Sequence, residues 1–418
     1  MNILYLAHRI PYPPDKGDKI RSYHQVRHLG GRHRLHLVCF TDDPRDRAHA
    51  DVLREFCASV DVVHRSARAA RIAGLRGLLD GRAISVAAFD SQTLRRAAAE
   101  RLRGIDVVFA FSSVMAQYVP VKNPRPRVLD FVDADSEKWR LYAAHSRWPQ
   151  SWVYAREAER LGAFEEQAAR SWDHSLFVSE REARVLRERV PGVPVGVIVN
   201  GIDLEYFRPA PEAAGNGSAA HGEAEPSIVF TGMMDYFPNI DGVRWFASQV
   251  FPRVRAQVPD ARFVIVGRNP ARSVRALAST PGIEVTGAVA DVRPYLAHAA
   301  IACAPLRVAR GLQNKILEAM AMGLPVAATH AAYDGLDGAE SSGIEVSDDP
   351  ADLASRIIGL LRDPARRREA GRRARAYVES HHRWSDHGAA LEALLEGLVA
   401  SRPKPGRQAC HYCGQCNR

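Results

Sequence analysis

Ala304-Pro-Leu-Arg-Val-Ala-Arg-Gly-Leu-Gln-Asn-Lys-Ile-Leu-Glu-Ala-Met-Ala-Met-Gly-Leu-Pro-Val-Ala-Ala-Thr329 carries the strongest structural signal in the chain. It reads as the end of one strand, a polar loop, an amphipathic helix over 312–322, a glycine stop at Gly323 and a second strand started by Pro325. Gly311 is expected to open the helix, with Gln313, Asn314 and Lys315 in its first turn. A helix N-terminus presents unpaired N–H groups and partial positive charge, which suits a diphosphate. Lys315 adds a mobile cation. Glu318, three residues on, shares its helix face, and a carboxylate there can accept two hydrogen bonds from a ribose diol. A surface Lys–Glu pair is the plainer reading. The opening of this polar face at the carboxyl end of a strand favours a ligand site.

The same alternation extends in both directions. Strands are expected at 3–7, 35–40, 60–63, 107–111, 128–132, 175–178 and 195–199, and again at 228–231, 262–266, 283–286, 300–304 and 325–328. Helical patterns lie between them, at 21–29, 91–102 and 152–171, then at 241–258, 292–299 and 350–362. Such alternation predicts parallel sheets with helices on both faces. Residues 208–226, RPAPEAAGNGSAAHGEAEP flanked by periodic segments, read as a flexible linker. The predicted organisation is therefore an α/β domain over 1–207, a second over 227–383, and a helix at about 384–400 packing back on the first. Residues 401–418 read as a disordered tail. Two doubly wound domains facing each other make a cleft, and ligands bind outside the carboxyl ends of such strands.

Composition narrows the function. The chain has 418 residues, 46% hydrophobic and 25% charged, with a formal net charge of +9. Basic balance suits phosphorylated substrates or an anionic membrane surface. With 8% aromatic residues and no recognisable binding signature, nucleic acid is not expected as a partner. No apolar run is long enough to span a bilayer. MNILYLAH turns polar at once and does not read as a signal peptide. The expectation is a cytoplasmic protein, peripheral at the inner face of the cell membrane. Cys39, Cys57 and Cys303 read as buried thiols, in keeping with a reducing compartment. Cys410, Cys413 and Cys416, with His411 beside them, have poor geometry for a four-ligand zinc site. No metal is assigned to them. The Asn216-Gly217-Ser218 sequon is read as a chance match. Of 57 basic residues only six are lysine, Lys315 among them. A retained lysine marks a place where a compact point charge serves better than a planar fork.

Further landmarks follow the same order. Phe230-Thr-Gly232 and Val264-Ile-Val-Gly267 end strands on glycines that let backbone approach a phosphate. Asn200-Gly201-Ile202-Asp203, then Phe207 and Pro209, precede the linker. Arg9-Ile-Pro-Tyr-Pro-Pro-Asp-Lys16-Gly17-Asp18-Lys19-Ile20-Arg21 follows the first strand and supplies charge beside a glycine. Asp130-Phe-Val-Asp133-Ala-Asp135-Ser-Glu-Lys138 leaves the fifth. Its carboxylates are of a type that holds magnesium, or they cap the next helix. Ser179-Glu180 is a capping pattern.

Leu317-Glu318-Ala319-Met320-Ala321-Met322-Gly323-Leu324-Pro325-Val326 resembles the signature of the retaining GT-B glycosyltransferases of family four, glycosyl transferases group 1. The Asn200–Pro209 stretch resembles that family's interdomain junction. The Gly-x-Gln-Asn-Lys variant over 311–315 resembles a subgroup found with exopolysaccharide and PEP-CTERM/exosortase systems. The resemblance implies two Rossmann-like domains across a cleft and sugar transfer, with retention, from a nucleotide diphosphate to a saccharide or polyprenyl-linked saccharide. The nucleotide sugar is then a substrate, and no cofactor or metal is expected. By the same resemblance Glu318 binds ribose, and Gly311, Asn314, Gly232, Gly267, Lys16 and Gly17 line the donor. The residues themselves add the reacting centre: Lys315 and Arg310 as charge for the leaving diphosphate, and Asp133 or Asp135, standing where many relatives have a histidine, to orient hydroxyls, with Lys19, Arg21 and Lys138 on the acceptor side. Two further departures stand out. Arg310 replaces the first glutamate of the family's pattern, and the basic pair usual after Gly232 is missing. A nucleotide-sugar 2-epimerase and a non-catalytic sugar-nucleotide-binding protein are the alternatives on the same fold.

Overall fold

Long runs of apolar residues with no polar alternation form the strands, because helices cover both faces of a parallel sheet. Ile3–Ala7 is wholly buried, as are Val107–Phe111 and Ile301–Ala304. The computed structural model describes residues 1–209, 225–336 and 338–402. Most of the predicted linker, the Asn216 sequon and Cys410, Cys413 and Cys416 lie outside the described residues.

The first sheet has seven strands: β1 (Asn2–Ala7), β2 (Arg34–Thr41), β3 (Ser59–His64), β4 (Val107–Phe111), β5 (Arg127–Val132), β6 (His174–Phe177) and β7 (Val195–Val197). Their order is β3-β2-β1-β4-β5-β6-β7, and the pairs from β3 to β5 are parallel. The second sheet has six: β8 (Ser227–Thr231), β9 (Arg262–Val266), β10 (Ile283–Gly287), β11 (Ile301–Ala304), β12 (Val326–Ala328) and β13 (Glu345–Val346). These run β10-β9-β8-β11-β12-β13, all parallel. In each sheet the order reverses beside the first strand, so the switch points lie at β1/β4 and β8/β11. These are the places where a doubly wound sheet receives ligands.

The chain divides into two compact units. One comprises Met1–Asp130, Gln167–Ser175 and the chain from Gly388; the other comprises Phe131–Glu166 and Leu176–His387. In the first, the C-terminal helix Trp384–Ser401 lies on the helix Gly17–Gly30. A side chain at Gly388 would run into the His28 ring, 2.4 Å from Nδ1. Glu392 pairs with His28 at 3.0 Å and with His33 at 2.8 Å. In the second, the Asn200-Gly201-Ile202 junction is pinned by His382, whose ring meets the Asn200 carbonyl at 2.7 Å, and by Trp384, which leaves no room for a Cβ at Gly201.

Several elements differ from the sequence reading. The two-residue strand β13 and the helix Ala67–Leu79 were not expected, the first for shortness and the second because its Gly and Arg content masks its period. The helix expected over 241–258 is two helices, Phe237–Trp245 and Phe251–Gln257, joined through a π-helical turn that Pro252 imposes by lacking an N–H.

Gly267 sits so close to Gly232 that a Cβ on it would lie 1.6 Å from the Gly232 carbonyl oxygen. Gly267→Ala is therefore expected to cost about 1–3 kcal/mol by backbone displacement. Gly397→Ala, in open space within the C-terminal helix, should be neutral or slightly stabilising. Urea denaturation of both variants checks the contrast.

Candidate functional site

The carboxyl ends of β8, β9 and β11 bring together one group of the predicted residues. Gly232 follows β8, and its amide donates to the Val266 carbonyl at 3.0 Å. Its missing side chain leaves the space that Lys315 uses, since a Cβ there would stand 3.2 Å from Lys315 Nζ and 2.8 Å from Asn239 Nδ2. Lys315 donates to Asn239 Oδ1 at 2.6 Å and rests 4.2 Å from the Phe230 ring centroid. Asn239 is aimed by its own amide, which donates to the Met233 carbonyl at 2.9 Å. Asn239 was missed in the sequence. Its signal was faint, an asparagine after Pro238 in a segment notable mainly for lacking the usual basic pair.

Burial pulls the Lys315 ammonium down to about 7, against the opposing effect of Glu318. Burial likewise pushes the Glu318 carboxyl up to about 7, against Lys315. Each charge is partly deprived of water, and neither is fully compensated by protein. That is the state expected of groups kept for a charged, hydrogen-bonding ligand.

The helix begins at Asn314, not at Gly311. Gly311 sits in the loop with φ +65°, where glycine is favoured, and a Cβ on it would collide with the Asp133 carboxylate, 2.2 Å from Oδ1. The first-turn amides thus belong to Asn314, Lys315 and Ile316. Asn314 also accepts from the Asn200 side chain at 3.3 Å. Gln313 braces the loop through the Arg310 and Gly311 carbonyls, at 3.1 and 3.3 Å.

Arg310 belongs to a second group. Its Nε donates to Glu182 at 3.0 Å, and its Nη1 lies 3.5 Å from Glu137. Glu182 is fully buried and accepts the Ala134 amide at 2.8 Å with its other oxygen. Arg189 pairs with Glu137 and donates to Ser136 Oγ at 3.0 Å. Ser136 in turn bonds Glu165, whose carboxyl burial pushes up to about 8. Carboxylates from distant segments thus receive the Ala134 and Ser136 amides at the start of the helix Asp135–Ala144. Asp133 stands just before that helix and Asp135 opens it, with Lys138 one turn inside. Val132, before them, has φ +69°, a strained setting for a β-branched residue.

The first unit holds the rest. Lys16 and Gly17 begin the helix Gly17–Gly30 after β1. Lys19 is buried beneath Asp46 and Asp15, at 3.5 and 3.8 Å. Arg21 is fully buried and donates to Asp130 at 2.8 Å, where Gln25 also donates. The expected acceptor-side cation is therefore enclosed, and its role is to hold Asp130. Beside it stands a group that the sequence reading overlooked. His8 and Arg9 meet the Asp18 carboxylate at 3.2 and 2.5 Å. Burial of Asp18 opposes ionisation, yet His8 and Arg9 together hold it well below the usual carboxylate range. Among the described residues, the group spaced for a metal is His33, Glu392 and Glu396, where the turn after the helix Gly17–Gly30 meets the helix Trp384–Ser401.

Residues 225–363 match the family model described as glycosyl transferases group 1. Among solved structures, sucrose-phosphate synthase from Thermosynechococcus elongatus aligns over 96% of this chain and 100% of its own, with TM-score 0.69 and 17% identity. Anabaena HepE, in complex with UDP-glucose, aligns over 95% of this chain and all of its own, with TM-score 0.63 and 16% identity. The chain has the GT-B fold. A curated relative, the GDP-mannose-dependent alpha-(1-6)-phosphatidylinositol monomannoside mannosyltransferase of Mycolicibacterium smegmatis, is 28% identical over 219 residues, 48% of this chain. The match spans 56% of that protein. No helix of the described residues is long and apolar enough to cross a membrane.

Removing Arg310 would leave Glu182 buried without its cation. Arg310→Ala is expected to destabilise the protein by about 2–3 kcal/mol, below the usual range for a buried pair because Arg310 is partly exposed. Adding Glu182→Gln should recover part of the loss. Thermal denaturation of the single and double variants reads the coupling.

Proposed function

We propose that this protein transfers a sugar from a nucleotide diphosphate to a saccharide or lipid-linked saccharide, with retention at the anomeric carbon. The observation that carries the reading is the partly desolvated Lys315 ammonium. It is held over Gly232 by Asn239 at the switch point of the second sheet, one turn from Glu318. The segment around them lies in the part of the chain that matches the family model. Two relatives support the substrate class: one acts with GDP-mannose on a phosphatidylinositol mannoside, and another is seen in complex with UDP-glucose.

In this reading Glu318 takes the ribose diol. The diphosphate lies against Lys315, the amides of Asn314 and Lys315, and the backbone at Gly232 and Gly267. Positive charge placed where the leaving group gains negative charge lowers the barrier electrostatically. The bond from the anomeric carbon to the diphosphate oxygen breaks, and the acceptor oxygen bonds that carbon. The acceptor proton passes to the departing phosphate oxygen, so no separate base is required. Asp133 and Asp135 orient hydroxyl groups, and the loop bearing Lys16 and Gly17 serves the acceptor side. No metal or cofactor is invoked, because protein charge supplies the neutralisation. Arg310, occupied by Glu182 and Glu137, is assigned to shaping the loop. The Gly-x-Gln-Asn-Lys variant favours exopolysaccharide assembly of the PEP-CTERM type, at the inner face of the cell membrane.

Two measurements separate the roles. Glu318→Ala should weaken nucleoside diphosphate binding by about tenfold, the worth of one charge-assisted hydrogen bond. Lys315→Ala should chiefly lower turnover. At about pH 8 free Lys315 is largely neutral while Glu318 is ionised, and a bound diphosphate favours the ammonium. Calorimetry in buffers of different ionisation enthalpy should therefore show proton uptake on UDP or GDP binding, absent in Lys315→Met. Unchanged kinetics in both alanine variants would remove the assignment.

A further inference from the structure

The helix Ala67–Leu79 is built inside out. An amphipathic helix normally buries its large aliphatic residues. Here the buried positions are Gly74 and Gly77. They let the helix lie tightly on the short helix Ile84–Ala88: a Cβ at Gly74 would meet Ile84 at 3.0 Å, and one at Gly77 would meet Ala87 at 2.5 Å. Three of its four large aliphatic residues point the other way. Ile72 is 53% exposed, Leu75 66% and Leu79 86%. Spaced at i, i+3 and i+7, they form one stripe along the solvent face.

Charge flanks the stripe. Arg68, Arg71 and Arg76 are exposed on the same helix, which contains no acidic residue. None of the three has an ion pair among the described residues. Arginines placed this way can lay their stems along an apolar surface and extend their guanidinium groups to phosphate. A second copy of this chain is a poor occupant, because two such helices would oppose Arg71 and Arg76 to each other. A typical apolar protein groove would leave the arginines unanswered.

We infer that the helix Ala67–Leu79 is the element that docks this protein on an anionic lipid bilayer, with Ile72, Leu75 and Leu79 entering the acyl boundary and the arginines engaging lipid phosphates. A helix of this design lies in the plane of the interface and does not span it. Its affinity combines apolar burial with attraction to anionic headgroups. The inference deepens the proposed use of a lipid-linked acceptor and rests on that reading for its biological purpose. The docking itself requires no sugar transfer.

Co-sedimentation of the full chain with vesicles tests it, with no sugar donor present. Binding is expected to phosphatidylcholine vesicles containing phosphatidylglycerol and not to phosphatidylcholine alone, and it should fall as salt rises. Combining Ile72→Ser, Leu75→Ser and Leu79→Ser should weaken it by at least about tenfold, since their burial in the acyl boundary drives insertion. The pair Arg71→Glu and Arg76→Glu should do the same. Thermal midpoints should be unchanged, because all five side chains are exposed. Equal vesicle binding by the triple serine variant would overturn the inference. So would absence of binding by the unaltered chain, or a dimer of that chain which the triple variant dissolves. Because no donor is present, docking is measured independently of whether the chain transfers sugar.

Discussion

The constraint on which the candidate site depends is the near-contact of two glycine backbones. Gly267 approaches the Gly232 carbonyl so closely that any Cβ would overlap it. Gly232 in turn leaves a hollow beside β8 into which the Lys315 ammonium fits. A cation removed from water must be repaid by dipoles or opposite charge. Lys315 receives one carbonyl oxygen from Asn239 and the face of Phe230, with Glu318 a turn away. This is less than bulk water provides, and its lowered pKa expresses the deficit. A ligand carrying two phosphates would make good that deficit, which links the packing of two strands to the proposed chemistry.

The loop between β11 and the helix Asn314–Ala321 obeys a different logic. It is held by carboxylates that come from far away in the chain. Glu182 and Glu137 hold Arg310, and Asp133 lies against Gly311. The same carboxylate cluster receives amides at the start of the helix Asp135–Ala144. Breaking one member leaves others buried and uncompensated, so the group behaves as a unit. An arginine at 310 is consistent with this arrangement, since it supplies the cation that two converging glutamates require.

The helix Ala67–Leu79 shows how small residues redirect large ones. Gly74 and Gly77 make the inner face flat and permit tight packing on the helix Ile84–Ala88. The aliphatic side chains are then left to solvent or to a partner. Exposed aliphatics bordered by arginines are a costly surface for a protein in water alone.

The alternation of strand and helix, the glycines that end β8 and β9, and the common helix face of Lys315 and Glu318 are all legible in the order of residues. All of these follow from backbone periods and steric rules that act within a few residues. Only the tertiary structure decided that Asn239 meets Lys315, that Arg21 is enclosed with Asp130, and that Arg310 is claimed by Glu137 and Glu182. It also decided that Ala67–Leu79 turns its glycines inward. Those side-chain pairings join residues from 76 to 173 positions apart in the chain. Nothing in local periodicity encodes which distant carboxylate a guanidinium will find; only the closed sheets and the helices packed on them bring the partners within reach.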